Sequence, residues 1–306
     1  MLMTLQGQTY VLREVLRQNV RTTLYRGLRR SDSLPVIIKL LEPKHYRARD
    51  LARLEHEYHI GGRLQHNDVV IHPLDIDTQG PSPALVLEDV GGKTLDQVPG
   101  PLGIAAFLPL AIKIAEALDR LHHDNIVHKD LKPQNIVVDA DLQTVHLTDF
   151  GIAARLETEA AVLSGSFIEG TLAYLSPEQT GRMARAVDLR SDLYSLGVTY
   201  YELLTGRLPF SAKDSLEWIH CHIAMTPASP STLDERIDVP LSNLVLKLLA
   251  KVGEDRYQTA RGLLCDLRLC LEMHQQHGRI EPFALAAHDV SERFAIPQKL
   301  YGRQAE

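Results

Sequence analysis

The hydrophobic and polar positions of the first ninety residues predict a mainly antiparallel sheet with one helix. Apolar residues alternate with polar ones or form short runs, as is typical of β-strands. The five strand-like runs are 10–16, 23–28, 35–41, 69–76 and 84–89. A helical pattern interrupts them from about Ala48 to Leu64. The residues near one face of this helix are Leu51, Leu54, Tyr58 and Ile60.

Beyond Gly91-Gly92 the periodicity becomes that of helices. The helical patterns are 102–123, 191–205, 214–223, 241–250 and 259–273, with short apolar strands at 135–139 and 144–149. We therefore predict an α+β chain with a small antiparallel β lobe over residues 1–88 and a larger, mainly α-helical lobe over residues 89–275. Residues 276–306 are predicted to be a linker toward a further module.

Composition excludes several classes of protein. The 306 residues carry a net charge of −6 with scattered basic residues, so a nucleic-acid partner is not expected. No window approaches the roughly 18–20 uninterrupted apolar residues of a membrane span, and the N-terminus lacks a signal-peptide pattern. The three cysteines do not form a disulfide framework and are expected to be reduced thiols, which favours a cytoplasmic protein.

One cluster, His220-Cys221-His222, has residue types that bind zinc. The ligand spacings of common zinc sites are absent around it. We therefore interpret the cluster as part of a partly exposed helix face rather than as a metal site.

The segment IVHKDLKPQNIVVD, residues 126–139, carries the strongest chemical signal. Its polar residues have the spacing H-x-D-x-K-x-x-N, and Asp149-Phe150-Gly151 follows a second short strand. A carboxylate such as Asp130 can orient a hydroxyl and accept its proton. Asn135 and Asp149 offer the hard oxygen ligands that Mg²⁺ prefers. Lys132 would place positive charge where a transferring phosphoryl group lies.

On these motifs the chain resembles the eukaryotic-like Ser/Thr protein kinases over about residues 8–273. The resemblance implies a bilobal protein-kinase-like fold, ATP and Mg²⁺ as cofactors, and a protein Ser/Thr hydroxyl as the acceptor. Lys39 in VIIK would hold the α- and β-phosphates. Glu57 on the following helix would pair with Lys39, with Glu55 as the alternative. Thr171 in GTLAYLSPE matches the threonine that marks Ser/Thr specificity.

The same resemblance implies further binding and structural residues. Leu87 would be the gatekeeper, and Glu88 and Val90 would contact adenine through the hinge backbone. The hairpin over the nucleotide is expected to contribute Leu16, Arg17, Asn19, Thr22 and Leu24. The implied structural residues are Glu178, paired with Arg256, and Asp192, bound to the backbone of the catalytic loop.

The hairpin departs from the family at its glycines. The three positions written as glycine in G-x-G-x-x-G hold Arg17, Asn19 and Thr22. Glycine there allows positive φ and close approach of the backbone to phosphate, so the turn is predicted to differ in shape. Arg17 or Arg21 could donate to the triphosphate instead; the alternative is that both arginines point to solvent.

Two further departures concern regulation. Lys129 replaces the arginine of H-R-D, and we hypothesise that phosphorylation at Ser164 or Ser166 orders the following loop through Lys129. Gly61 and Gly62 weaken the first predicted helix, so its C-terminal end is predicted to be short or mobile.

A narrower resemblance concerns the possible partners. Segments such as EYHIGGRLQ (57–65) and YGRQAE (301–306) resemble the N-terminal kinase domain of large bacterial signalling proteins. Those proteins continue into a P-loop ATPase and a sensor histidine kinase, which we expect as downstream modules. The leading hypothesis is an active Ser/Thr protein kinase. The alternatives are a pseudokinase that regulates the adjoining modules, favoured by the lost glycines, and a small-molecule phosphotransferase on the same fold.

Overall fold

A computed structural model describes residues 2–156, 171–183 and 185–290. The strands of the N-terminal lobe are β1 Leu2–Leu5, β2 Gln8–Gln18, β3 Thr22–Arg29, β4 Pro35–Leu41, β5 Pro73–Asp77 and β6 Ala84–Glu88. They form one antiparallel sheet in the order β1-β2-β3-β4-β6-β5. One helix, α1 (Ala48–Arg63), lies between β4 and β5 in the chain.

The alternation along β4 forms the lobe's core and also places a lysine. Val36 and Ile38 point to one face of the sheet and are buried in an apolar cluster there. Leu41 points to the other face, where it packs in a cluster with Leu54 of α1. Lys39 lies two residues before Leu41 on the strand, so its side chain points to the same face of the sheet. It therefore enters the space between the sheet and α1.

The second lobe is mainly helical. Its helices are α2 Ile104–His123, α3 Leu189–Thr205, α4 Ser215–Ala224, α5 Pro230–Leu233, α6 Val239–Leu248 and α7 Ala260–His277. Its short strands are β7 Lys93–Thr94, β8 Ile126–Val127, β9 Ile136–Val138, β10 Val145–Leu147 and β11 Ala154–Arg155. The apolar face of α2 is buried in the main core against α3 and α7. This bilobal α+β arrangement confirms the predicted fold class.

Several elements differ from the sequence prediction in extent or existence. The strand predicted at 69–76 begins only at Pro73. The apolar residues before it are buried for another reason, since Val70 forms a bridge with Leu147 of the second lobe. The short elements β1 and α5 were not predicted, because a run of four residues carries too little periodicity to detect.

Helix α1 is not shortened by its glycines, so the prediction of a short C-terminal end is wrong, while a mobile end stays a prediction. It continues through Gly61 and Gly62 to Arg63. A Cβ on Gly61 would lie 2.5 Å from Cδ of Pro73, whereas a Cβ on Gly62 would meet nothing within 4 Å. Gly61 therefore allows the start of β5 to pack directly against the helix.

Residues 278–290 lie against the helical lobe. Ile280 is buried, and its N–H donates to Asp238. Asp289 accepts hydrogen bonds from the N–H groups of Gln258 and Thr259, just before α7. Residues 291–306 lie outside the described part, so a linker over 276–306 stays a prediction. Within the described ranges, no helix is both long and apolar enough to cross a membrane.

Candidate active site

The residues predicted for the catalytic loop lie together between β8 and β9. Nζ of Lys132 lies 2.5 Å from Oδ2 of Asp130 and 2.6 Å from Oγ1 of Thr171. Nδ2 of Asn135 donates to the backbone carbonyl of Asp130 at 2.8 Å and to its Oδ2 at 3.1 Å. The N–H of Thr171 donates to Oδ1 of Asp130 at 2.9 Å. These donors fix the orientation of the Asp130 carboxylate.

A buried carboxylate in the first turn of α3 shapes this loop. Asp192 accepts hydrogen bonds from the N–H groups of His128 (2.8 Å) and Lys129 (2.9 Å), as predicted. Lys129 has a φ of 66°, which a residue other than glycine rarely adopts. The two hydrogen bonds hold this turn and thereby place Asp130, the next residue.

A second side chain holds the same turn, and the sequence did not predict it. Nε2 of Gln179 donates to the Lys129 carbonyl at 2.7 Å. Oε1 of Gln179 accepts from the N–H (3.2 Å) and the hydroxyl (2.9 Å) of Ser176, which stands where the family has alanine in A-P-E. The S-x-x-Q spacing of a capping box was the available signal.

Lys39 connects the two lobes through a pair of carboxylates. Its Nζ lies 2.7 Å from Oε2 of Glu57 on α1 and 2.8 Å from Oδ1 of Asp149. Glu57 is buried, whereas the alternative partner Glu55 is exposed. Residues two apart on a helix point in different directions, so only one of the two glutamates can reach the lysine.

Burial and charge oppose one another in this triad. Burial disfavours the Lys39 ammonium, but the carboxylates of Asp149 and Glu57 outweigh that effect and raise the pKa of Lys39. Burial also opposes ionisation of Asp149, yet the charge of Lys39 holds the pKa of Asp149 down to about 2. Burial raises the pKa of Glu57. Asp149 is therefore an anion at neutral pH, as a metal ligand must be.

A cleft of about 600 Å³ separates the lobes, a volume typical of small-molecule sites. The residues predicted to bind the cofactor or its metal all line this cleft. They are Leu16, Arg17, Asn19, Thr22, Leu24, Lys39, Glu57, Leu87, Glu88, Val90, Asn135 and Asp149. Asp130 lines an adjoining cavity of about 240 Å³, which shares Lys132 and Asp149 with the cleft.

Several charged lining residues were missed by the sequence reasoning, among them Arg53 and Asp96. Arg53 lines both cavities and lies four residues before Glu57, so it shares a face of α1 with that glutamate. This spacing was a usable signal. Asp96 lines the cleft from the residues that follow the hinge, and no pattern in the sequence distinguished it from an ordinary exposed acid.

The glycine-free hairpin turns without positive φ at any of residues 17–22, all of which are described. Oδ1 of Asn19 accepts hydrogen bonds from the N–H groups of Arg21 and Thr22, both at 2.9 Å. Nη2 of Arg17 lies 3.8 Å from Oδ2 of Asp96, and Nη1 of Arg21 lies 3.8 Å from an oxygen of Asp50. The side chain of Asn19 therefore satisfies two amides of the turn. The predicted phosphorylation sites, at 164 and 166, lie outside the described residues.

Comparison with known proteins agrees with this geometry. Residues 18–266 match the family model described as "Protein kinase domain". The chain is 39% identical over 191 residues to serine/threonine-protein kinase PknB of Mycobacterium leprae, covering 61% of this chain and 30% of that protein. It is 31% identical over 264 residues to a probable serine/threonine-protein kinase of Clostridium perfringens, covering 85% of this chain and 38% of that protein. Against serine/threonine-protein kinase Pkn1 of Myxococcus xanthus it is 34% identical over 209 residues, 67% of this chain and 30% of that protein. The chain thus spans well under half the length of these relatives.

Proposed function

Because the chain belongs to the protein kinase family, we propose that it transfers the γ-phosphoryl group of ATP to a serine or threonine hydroxyl of a protein. The relatives described above are named serine/threonine-protein kinases, which supports this acceptor. The contact of Thr171 with both Asp130 and Lys132 supports it as well, because an acceptor polypeptide can lie along that segment with its hydroxyl at Asp130.

In this proposal ATP occupies the cleft between the lobes. Lys39, held by Glu57, contacts the α- and β-phosphates. The backbone of Glu88 and Val90 contacts adenine. The other residues predicted for the cofactor site line the cleft around it, and they are Leu16, Arg17, Asn19, Thr22, Leu24 and Leu87.

The oxygen ligands available in the cleft fit Mg²⁺. Nδ2 of Asn135 donates to Asp130, which leaves the amide oxygen of Asn135 as a ligand beside the Asp149 carboxylate. Mg²⁺ usually takes one or two protein ligands and completes its shell with phosphates and water. When bound, the ion neutralises charge on the β- and γ-phosphates. Among the described residues, no group of three or more His, Cys, Asp and Glu side chains forms a separate metal site.

Asp130 orients the acceptor hydroxyl and accepts its proton. Its Oδ1 is held by the N–H of Thr171 and its Oδ2 by Lys132, so the carboxylate is fixed before the substrate arrives. Lys132 then stabilises the phosphoryl group as it passes toward the hydroxyl.

The contact of Lys39 with both Glu57 and Asp149 is the observation that carries the proposal, because it assembles the phosphate-binding and metal-binding groups in one place. The test is incubation with labelled Mg-ATP and a generic basic protein, beside Asp130→Asn and Asp149→Asn. Asp141→Asn is the charge-matched control, since Asp141 is exposed in a turn outside the cleft. Phosphoryl transfer that is lost in both site variants and kept in the control supports the kinase. Transfer to a small molecule alone would favour the small-molecule phosphotransferase.

One observation favours the pseudokinase as a second candidate. The side chain of Asn19 occupies hairpin amides that could otherwise donate to phosphate. In that case the chain binds nucleotide weakly and regulates neighbouring modules. No transfer by the wild-type chain, with or without those modules, would support this alternative.

We further propose a cytoplasmic location and a role beside P-loop ATPase and sensor histidine kinase modules. The support for the modules is the resemblance of segments such as EYHIGGRLQ to kinase domains of that type. The cytoplasm supplies ATP and keeps the three cysteines reduced. Sequencing the gene beyond codon 306 tests the modules directly.

A further inference from the structure

The cluster His220-Cys221-His222 on α4 is not used by the proposed mechanism. His220 is exposed, whereas Cys221 and His222 are buried. Nε2 of His222 lies 2.8 Å from the Leu172 carbonyl, and its Nδ1 lies 2.9 Å from the Tyr194 hydroxyl. His222 therefore joins α4 to the segment that follows Thr171.

The partners of His222 define which nitrogen carries its proton. Nζ of Lys251 donates to the Tyr194 hydroxyl at 3.4 Å, so that oxygen accepts there and can donate its own hydrogen onward to Nδ1. The Leu172 carbonyl can only accept, so Nε2 carries the hydrogen. A neutral imidazole satisfies both bonds, and the chain of donors runs from Lys251 to Leu172.

Aromatic rings enclose this imidazole. Trp218 stacks on it at 5.8 Å between ring centroids with an interplanar angle of 19°. Phe210 and Tyr194 contact it edge-on at 5.5 and 5.7 Å. Burial lowers the pKa of His222 to about 4, so the ring is neutral at pH 7 and its orientation is fixed by packing.

The carbonyl that His222 holds belongs to the residue after Thr171. Leu172 starts a short 3₁₀ turn that ends at Tyr174. Thr171 donates through its N–H to Oδ1 of Asp130 and contacts Lys132 through its hydroxyl. Fixing the Leu172 carbonyl thus restricts the backbone on one side of Thr171, and the position of Thr171 fixes the Asp130 carboxylate.

We propose that His222 is a positioning residue for phosphoryl transfer to a polypeptide: it holds the Leu172 carbonyl so that Thr171 stays on Asp130 and the acceptor chain has a defined track. This role rests on the proposed kinase function. It acts on the acceptor side of the site, so ATP binding in the cleft does not depend on it.

The test compares His222→Gln with His222→Asn. Glutamine places an N–H near the position of Nε2 and can still donate to Leu172. Asparagine reaches only as far as Nδ1, so it keeps Tyr194 and loses Leu172. The control is His220→Asn, the same change on an exposed residue of the same helix.

We expect His222→Asn to lower kcat on a protein substrate about tenfold, the effect of leaving one buried carbonyl unpaired, with the KM for ATP unchanged. His222→Gln and His220→Asn should stay within about threefold of wild type. Equal behaviour of the glutamine and asparagine variants, whether impaired or wild-type-like, overturns the proposal.

A second readout does not require activity. Hydrogen exchange of the Thr171 N–H, which is bonded to Asp130, should be faster in His222→Asn than in His222→Gln or wild type. If the wild-type chain transfers no phosphate, the kinase proposal fails while this measurement still tests the positioning role. Identical Thr171 exchange in the two His222 variants overturns that role.

Discussion

Asn19 and Thr22 close the hairpin over the cleft through two hydrogen bonds. The N–H of Asn19 donates to the Thr22 carbonyl, and Oδ1 of Asn19 accepts from the Thr22 N–H, each at 2.9 Å. The asparagine side chain thus takes an amide hydrogen that a phosphate could otherwise accept. We therefore expect the triphosphate to depend on Lys39, Lys132 and the metal rather than on hairpin amides.

The hairpin arginines should contribute little to ATP binding. Arg17 and Arg21 each form a partly exposed ion pair at 3.8 Å, with Asp96 and Asp50, and such pairs are worth about 0–1 kcal/mol. The double variant Arg17→Ala with Arg21→Ala should raise the KM for ATP less than about fivefold in steady-state kinetics. Lys39→Met, which removes the buried cation, should abolish most transfer. A KM raised far more by the double variant would assign the arginines to the triphosphate.

Replacing each of the two adjacent glycines of α1 by alanine should change the stability of the protein in opposite directions. Gly61→Ala should destabilise by about 1–3 kcal/mol, because its Cβ would meet the Pro73 ring at 2.5 Å. Gly62→Ala should stabilise by about 1 kcal/mol, because nothing lies within 4 Å and alanine favours the helix. Urea unfolding measures both variants. Stabilisation by both substitutions would mean that Pro73 moves aside without cost.

The sequence predicted the side chains of the site better than the contacts that arrange them. Asp130, Asn135 and Asp149 were predicted because chemistry demands those residue types at a recognisable spacing, whereas Lys39 was predicted from the resemblance of VIIK to the family's motif. Gln179 and His222 were not assigned a role, because their partners, Lys129 and Leu172, are 50 residues away in the chain. Local periodicity carries no information about such pairs.

Gly61 shows that local sequence also fails to predict some packing contacts of the fold. Helix propensity alone predicted a weakened end, but tertiary packing decides this position. The glycine is needed because β5 begins against the helix, a contact that is absent from the local pattern. Element type was therefore predictable over most of both lobes, while the reasons for individual small residues were not.

Glu178 and Arg256 form a buried ion pair, and replacing one partner should reduce the stability of the protein much more than replacing the other. Nη1 and Nη2 of Arg256 lie 2.7 and 2.9 Å from the Glu178 carboxylate, and the guanidinium also donates to the carbonyls of Arg190, Ala250 and Lys251. Arg256→Met leaves a buried carboxylate and these carbonyls unpaired, so it should cost about 3–5 kcal/mol. Glu178→Gln keeps an acceptor oxygen, and the Arg256 guanidinium keeps its three carbonyl partners, so this change should cost less, about 1–3 kcal/mol.

Thermal unfolding of both variants measures this asymmetry. Arg236→Met is the matched control, because Arg236 pairs with Asp234 at an exposed site, where losing the pair should leave the unfolding temperature nearly unchanged. A larger loss from Glu178→Gln than from Arg256→Met would mean that the carbonyl contacts of Arg256 contribute little.

His222 should make the stability of the chain depend on pH below neutrality. Burial lowers its pKa from about 6.5 to about 4, so between these values the unfolded chain binds a proton that the folded chain excludes. This contribution to stability is complete above pH 6.5 and is lost as the pH falls toward 4. The linkage amounts to about 2 kcal/mol between pH 7 and pH 5.

Urea unfolding of wild type and His222→Asn at pH 7, 6 and 5 isolates this effect, since asparagine does not titrate and the other ionisable groups are common to both chains. The wild-type free energy of unfolding should fall toward that of the variant as the pH decreases. His220→Asn, the same change on an exposed residue of the same helix, is the matched control. Parallel curves for wild type and His222→Asn would show that His222 accepts its proton without unfolding, which would contradict the neutral donor assigned to the Leu172 carbonyl.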